Sequence, residues 1–307
     1  MVTVVYDGGL GNWLFQYCFG RILAEELGYR LRAPGIPGMP GTFEEVDGAD
    51  HSALEARVLR GQKPDLSFLA AGGPHNLLLT GYFQRYEYYL PHLARIRRWV
   101  AVEDTIPADV TPGDVVLSIR RGRDYIPRWG LPLSYYATAL SSLRYDRVFI
   151  CTNEPDDPFV RHLADKYSAV VRAGSFQGGK MLPDYVAGAL DNFIFIKKFD
   201  KIVLSNSSFP WWAAFVSDAT EIVGPRPAHG LWAPNDPASR NMNLEVPEQR
   251  YRFIDCEPYK SVFWGERFQN GIDALGRSKS AVARVFPFLR RKRANVAPEF
   301  VFREDAG

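Results

Sequence analysis

The feature that most constrains this chain is a repeated alternation of short apolar runs and longer helix-like stretches after residue 113. Apolar runs of this length, rich in β-branched residues, are typical of buried strands. The runs predicted as strands are Val115 to Ile119, Arg147 to Thr152, Ala169 to Arg172, Lys201 to Ser205 and Glu221 to Gly224. The stretches predicted as helices are Tyr135 to Leu143, Pro158 to Tyr167, Asp184 to Lys198 and Pro210 to Asp218. This alternation predicts an α/β fold with a parallel sheet covered by helices.

The N-terminal part starts with the same kind of unit. Thr3 to Tyr6 is predicted to be a strand, a glycine loop follows, and Trp13 to Leu27 has apolar residues at helical spacing. Loop and helix-like segments are predicted from there to Gly73, then a short strand from Asn76 to Thr80 and a helix from Leu90 to Val100. A second α/β unit is therefore expected before the first break.

Chain length and the positions of proline and glycine predict the domain organisation. A chain of 307 residues with 46% hydrophobic residues can bury two cores of ordinary size. Prolines and a glycine between Pro107 and Gly113 mark the boundary. We therefore predict one domain over residues 1–110, a second over 111–245, and a C-terminal extension over 246–307 whose basic tail starts at 277.

Charge and cysteine usage exclude several classes of protein. The net charge of +2 argues against a nucleic-acid-binding protein. Three separated cysteines without a C-x-x-C pair argue against a disulfide framework or a zinc site. The N-terminus has no basic region followed by a long apolar stretch, so no signal peptide is expected. These features predict a cytoplasmic protein.

Two adjacent arginines, Arg120 and Arg121, follow the predicted strand that ends at Ile119. Guanidinium groups form bidentate, charge-assisted hydrogen bonds with phosphate, so a diphosphate site is predicted here. The alternative is that one of the arginines only pairs with Asp124.

A second candidate anion site lies in the segment from Lys201 to Trp212. A strand is followed there by Ser205, Asn206, Ser207 and Ser208, and then by a proline at a first helical position. Small hydroxyls and backbone N–H groups at a helix start bind anions without a metal. The alternative is simple N-capping by Ser207 or Ser208, with Trp211 and Trp212 in the core.

Metal and dinucleotide sites are disfavoured. Asp156 and Asp157 stand between two prolines, which indicates a helix start rather than a metal site. The loop from Gly8 to Asn12 lacks the G-x-G-x-x-G spacing of dinucleotide enzymes. No metal or other cofactor is therefore expected.

Four segments, in this order and spacing, strongly resemble the α-1,2-fucosyltransferase family, glycosyltransferase family 11. They are GGLGNWLFQYCFGR from Gly8, GYFQRYEYY from Gly81, SIRRGRDY from Ser118 and SNSSFPWWAA from Ser205. The resemblance covers about residues 1 to 227. It implies a GT-B fold of two Rossmann-like domains with a cleft between them, GDP-fucose as the donor, inverting transfer to a galactose 2-hydroxyl of a glycan, and a place in bacterial surface polysaccharide synthesis.

The resemblance also implies a set of site residues. It maps the two arginines of the family's H-x-R-R-x-D segment onto Arg120 and Arg121, its serine-rich segment onto Asn206, Ser207 and Ser208, and its loop asparagine onto Asn12. The predicted catalytic residues are Arg120, Asp124 and Asn12. The predicted donor-binding residues are Gly9, Gly11, Arg120, Arg121, Asn153, Asn206, Ser207, Ser208 and Phe209.

Three positions depart from the family pattern. Ser118 replaces the family's histidine, Arg123 is an insertion, and Trp13 replaces a glutamine. They leave open a transferase that uses another GDP-sugar, or a catalytically weak homologue that binds a nucleotide sugar. Asp7 and Asp124 are both candidates for the base that accepts the acceptor's proton.

The C-terminal tail combines apolar and basic residues between Ala281 and Arg293. Such a segment can lie on anionic lipid, which would place the protein at the inner face of the cytoplasmic membrane. The alternative is a solvated tail, and Pro287 interrupts any long amphipathic helix.

Overall fold

The computed structural model describes residues 1–106, 109–122, 130–173, 183–228, 232–233, 239 and 241–257. All of these residues fall in one compact unit that extends from Met1 to Lys260. The chain is α/β, with two sheets of parallel strands and helices packed on them, as a Rossmann-like architecture requires.

The first sheet has four parallel strands in the order β2-β1-β4-β3. They are β1 (Val2–Val4), β2 (Leu31–Arg32), β3 (Ala56–Leu59) and β4 (Asn76–Leu79). The sequence patterns predict β1 and β4 but place β2 and β3 in loop or helix, because β2 has only two residues and β3 is largely exposed at the edge of the sheet. The helices of this part are α1 (Leu10–Leu27) and α2 (Leu93–Trp99).

The second sheet has six parallel strands in the order β10-β9-β8-β5-β6-β7. They are β5 (Val115–Ile119), β6 (Val148–Thr152), β7 (Val170–Ala173), β8 (Lys201–Val203), β9 (Glu221–Pro227) and β10 (Tyr251–Cys256). The described helices between them are α3 (Leu133–Ser141), α4 (Pro158–Tyr167), α5 (Pro183–Lys197) and α6 (Ser208–Phe215). The predicted alternation is confirmed, and β10, which the sequence analysis places in the C-terminal extension, adds a sixth strand.

Helix α1 is buried on almost every side, because it packs on β1 and β2 and also against α6. A helix with apolar residues all round is expected in such a position. It ends at Gly28, whose left-handed backbone (φ 64°) lets its N–H bond to the carbonyls of Ala24 and Glu25. Because α1 is packed on so many sides, the position of its first turn, with Gly11 and Asn12, is fixed.

Aromatic packing joins α1 to α6. The ring of Phe15 lies 5.0 Å from that of Trp211 and 4.9 Å from that of Trp212, and Tyr89 packs on Trp212 at 5.2 Å. Both tryptophans are fully buried. This confirms that they belong to the core, where each large aromatic side chain contributes about 2–3 kcal/mol by burial.

Residues 241–246 form a strap between the two sheets. Asn243 donates its backbone N–H to the Gln84 carbonyl and its side-chain N–H to Glu87 Oε1, while Leu244 accepts a hydrogen bond from the Trp211 indole. After the strap the chain returns to the second sheet as β10. The part of the chain that follows β9 therefore contributes to the packing of both sheets.

Candidate active site

The strand order of the second sheet locates its ligand-binding edge. From β5 the chain continues outward on one side through β6 and β7, and on the other through β8, β9 and β10. In such sheets the crevice beyond the carboxyl ends of the two strands where the order reverses binds ligands. Those strands are β5 and β8, which pair with Leu117 opposite Val203. Arg120 follows one of them and Ser205 to Ser208 follow the other.

The two arginines after β5 have different surroundings. Arg121 is buried, with Nε 3.2 Å from Asp157 Oδ2 and its guanidinium carbon 4.3 Å from the centre of the Phe159 ring. Arg120 is half-buried at the strand end. Arg121 is therefore held inside the protein, and Arg120 is the less buried of the two.

Asn153, predicted as a donor-binding residue, is engaged by the backbone of Arg121. Its Oδ1 accepts the Arg121 N–H at 2.9 Å, and its Nδ2 donates to the Arg121 carbonyl at 2.6 Å. This paired contact holds the segment after β5 against the segment after β6. Gly122 follows with φ 142°, a backbone conformation that favours glycine.

The first turn of α6 has no side-chain cap. Ser207 occupies the N-cap position, but its hydroxyl makes no capping hydrogen bond, and the first turn contains no acidic residue. Ser208 donates its hydroxyl to Asn12 Oδ1 at 2.9 Å instead. The alternative of simple N-capping by these serines is therefore not what the structure has.

The first turn of α1 lies directly against the first turn of α6. A Cβ atom on Gly11 would lie 2.5 Å from the Phe209 nitrogen and 2.7 Å from the carbonyl carbon and hydroxyl of Ser208. Only glycine allows this approach. Helix α1 also lacks a side-chain cap at Gly9 and acidic residues in its first turn. Two helix N-termini thus meet, and each carries about half a positive charge.

An arginine, two uncapped helix starts and an amide therefore border one edge between the sheets, which is a setting for a multiply charged anion. No protein-family model matches the chain, and no curated protein matches it either.

The corresponding edge of the first sheet contributes further polar groups. Its order reverses between β1 and β4, and these strands lead to Asp7 and Tyr82. Asp7 Oδ1 accepts the Gly8 N–H at 2.8 Å, and its Oδ2 accepts the Tyr82 hydroxyl at 2.6 Å. Gln84 Nε2 donates to Asn12 Oδ1 at 2.9 Å. Tyr82 and Gln84 are not among the site residues predicted from the sequence, although both follow a predicted strand at its carboxyl end.

The remaining predicted residues are placed as follows. Asn206 is buried, and the ring of Phe209 lies 6.1 Å from that of Phe193. Asp124, Arg123 and the basic tail lie outside the described residues.

Within the described ranges, no group of three or more histidine, cysteine or acidic residues could hold a metal ion. Burial raises the pKa of the Cys151 and Cys256 thiols to about 12 each, so neither is a ready thiolate ligand or nucleophile. No helix in the described part of the chain is both long and apolar enough to span a bilayer.

Proposed function

We propose that this protein is an inverting glycosyltransferase of GT-B type that binds GDP-fucose at the edge between its two sheets and transfers fucose to a galactose 2-hydroxyl. The observation that carries the proposal is the contact of two uncapped helix N-termini at Gly11 and Ser208 beside the strand that delivers Arg120. Guanine and fucose are inferred from the resemblance of residues 1–227 to α-1,2-fucosyltransferases. A role in bacterial surface polysaccharide synthesis is part of the same proposal.

In the proposed reaction the acceptor hydroxyl attacks the anomeric carbon as the bond from that carbon to the phosphate oxygen breaks. The electron pair of the breaking bond passes to the departing GDP. Arg120 and the two helix starts stabilise the resulting charge, which is larger in the transition state than in bound donor. No metal ion is required for this stabilisation.

A carboxylate accepts the proton of the acceptor hydroxyl in this mechanism. Asp7 is the described one of the two sequence candidates, and it is exposed at the carboxyl end of β1. The hydrogen bonds from Gly8 and Tyr82 fix its orientation and leave lone pairs on both oxygens. In the proposed complex Asp7 receives the proton of a sugar bound over the first sheet.

The decisive experiment compares wild-type protein with Arg120→Ala. Wild-type protein should release GDP from GDP-fucose in the presence of a galactoside, and the variant should be about 100-fold slower or worse, the effect of removing one charge-stabilising group. Arg161→Ala is the matched control, because Arg161 is an exposed arginine on α4 that pairs with Asp156 in the preceding loop. Near-wild-type turnover by Arg120→Ala would refute the assignment.

The second candidate is a GT-B transferase that uses another GDP-sugar, and it is favoured by the departure at Ser118. Ser118 is buried, and its carbonyl accepts the Tyr136 hydroxyl at 3.3 Å. A panel of GDP-sugars, scored by GDP release, distinguishes the two donors. A catalytically weak nucleotide-sugar-binding protein would show a rise in melting temperature with GDP but no release from any donor.

A further inference from the structure

Three side-chain amides form a chain whose polarity is fixed at one end by the backbone. The backbone N–H of Gln84 can only donate, and it donates to Gln62 Oε1 at 2.6 Å. The other polar atom of the Gln62 side chain is therefore Nε2, which donates to the side-chain oxygen Oε1 of Gln84 at 3.3 Å. Gln84 Nε2 in turn donates to Asn12 Oδ1 at 2.9 Å. Each amide thus dictates the orientation of the next.

The chain ends at Asn12 with a donor and no acceptor. Asn12 Oδ1 accepts from Gln84 and also from the Ser208 hydroxyl, so both of its lone pairs are used. Its Nδ2 makes no hydrogen bond to any residue that the structure describes. Nδ2 lies beside Gly8, where an added Cβ would fall 2.2 Å away. The absence of a side chain at Gly8 therefore leaves room for the amide at the exposed glycine loop.

We infer that Gln62 and Gln84 are positioning residues that present the Asn12 amide as a hydrogen-bond donor to a phosphate oxygen of the bound nucleoside diphosphate. This inference rests on the proposed function. Gln62 and Gln84 are 7% and 6% exposed, so water does not compete for their hydrogen bonds. Turning any one amide over would set two donors or two acceptors against each other inside the protein, which is costly.

Gln62→Glu tests the inference because it nearly preserves shape and makes the polarity depend on pH. When the introduced carboxyl is protonated, its O–H can donate to Gln84 Oε1 while its carbonyl accepts from the Gln84 N–H. When it is ionised it only accepts, so the Gln84 amide turns over, and Asn12 turns with it. Burial raises the pKa of a carboxyl above its usual value, so titration between about pH 5 and pH 9 should cross it.

The measurement is the dissociation constant of GDP, expressed as the ratio of variant to wild type at each pH. The ratio cancels every contribution of GDP itself and of the neighbouring polar residues Lys63, Tyr82 and Asp7, which are the same in both proteins. We expect a ratio near one at low pH and about 10 to 100 at high pH, the effect of losing one hydrogen bond to a charged oxygen. A purely structural defect would not be relieved by protonation in this way.

Gln16→Glu is the matched control, since Gln16 is also buried but both of its partners are backbone groups, the Asp7 N–H and the Gly81 carbonyl. For Gln16→Glu the ratio of the GDP dissociation constants of variant and wild type should stay near one at every pH. The three amides of Gln62, Gln84 and Asn12 act as a relay in this inference. Gln84→Glu provides a second test of the relay if Gln62→Glu does not fold. In an Asn12→Ala background, Gln62→Glu should have no further effect on GDP binding, because the Asn12 amide that would contact GDP is absent.

The outcomes separate the inference from the proposed function. Wild-type protein that does not bind GDP overturns both. Wild-type protein that binds GDP, together with relay variants whose ratio is independent of pH or unchanged in the Asn12→Ala background, overturns the positioning role alone.

Discussion

Gly11→Ala is the substitution whose effect follows most directly from the structure. The added Cβ would lie 2.5 Å from the Phe209 nitrogen, whereas ordinary contacts start at 3.4 Å. The two first turns would have to separate by about 0.9 Å, the difference between these two distances. Both obstructing groups at Phe209 and Ser208 include backbone atoms, so rotation of a side chain cannot relieve the contact.

The expected loss of stability is a difference between two effects. Overpacking of this kind costs about 1–3 kcal/mol, while replacing glycine by alanine inside a helix favours folding by up to about 1 kcal/mol. With the full offset a net loss of up to about 2 kcal/mol remains, which for a protein of this size lowers the melting temperature by up to about 8 °C. The displacement also moves Asn12 relative to Ser208, so GDP binding should weaken as well.

Thermal unfolding and GDP titration of the same preparations test both effects. Gly28→Ala is the control: its φ of +64° makes alanine strained, nothing lies within 4 Å of the added Cβ, and the residue follows the opposite end of α1. It should lose about 1 kcal/mol of stability through strain and bind GDP normally. A Gly11→Ala protein that melts at or above the wild-type temperature and binds GDP equally well would refute the close-contact argument.

Two further predictions concern ion pairs around the second sheet. Asp157→Ala should lower the free energy of unfolding in urea by about 2–4 kcal/mol, because it removes both the ion pair to the buried Arg121 and the α4 N-cap, whereas Asp157→Asn keeps the cap and should lose less; equal losses would show that the charge contributes nothing. The Arg147 guanidinium lowers the pKa of Asp114 to about 2, so the pair's stabilisation is complete above about pH 4 and disappears as the pH falls towards 2. Asp114→Asn should therefore lower the free energy of unfolding at neutral pH and make it fall less steeply between about pH 4 and pH 2. An unchanged pH dependence in that range would contradict this.

The part of the fold that was predictable is the part with regular local patterns. The apolar runs at Val115 and Arg147 and the helical spacing after Trp13 carry enough periodicity to identify their elements. Strand β3 carries little, because most of its residues are exposed at a sheet edge and no alternation marks an inner face. Strand β10 alternates only weakly, and it becomes a strand through its pairing with β9.

The site divides along similar lines. Residues at strand ends and helix starts, such as Arg120 and Ser208, are predictable because a parallel sheet collects them at one edge. The burial of Arg121 is not predictable from the local sequence, since it depends on where Asp157 and Phe159 pack. Gln62 carries no local signal of its role, because its partners come from a loop whose position only the folded sheet determines.

The strap at residues 241–246 has a consequence for how the chain is made. Glu87 meets Asn243 across 156 residues of sequence. At ribosomal rates of about 5–20 residues per second, Glu87 is synthesised roughly 8–30 s before its partner. During that interval the nascent first sheet lacks the segment that bonds to Gln84 and Glu87. Nascent chains stalled before residue 241 should therefore be cut by protease near Gln84, and chains released after β10 should resist.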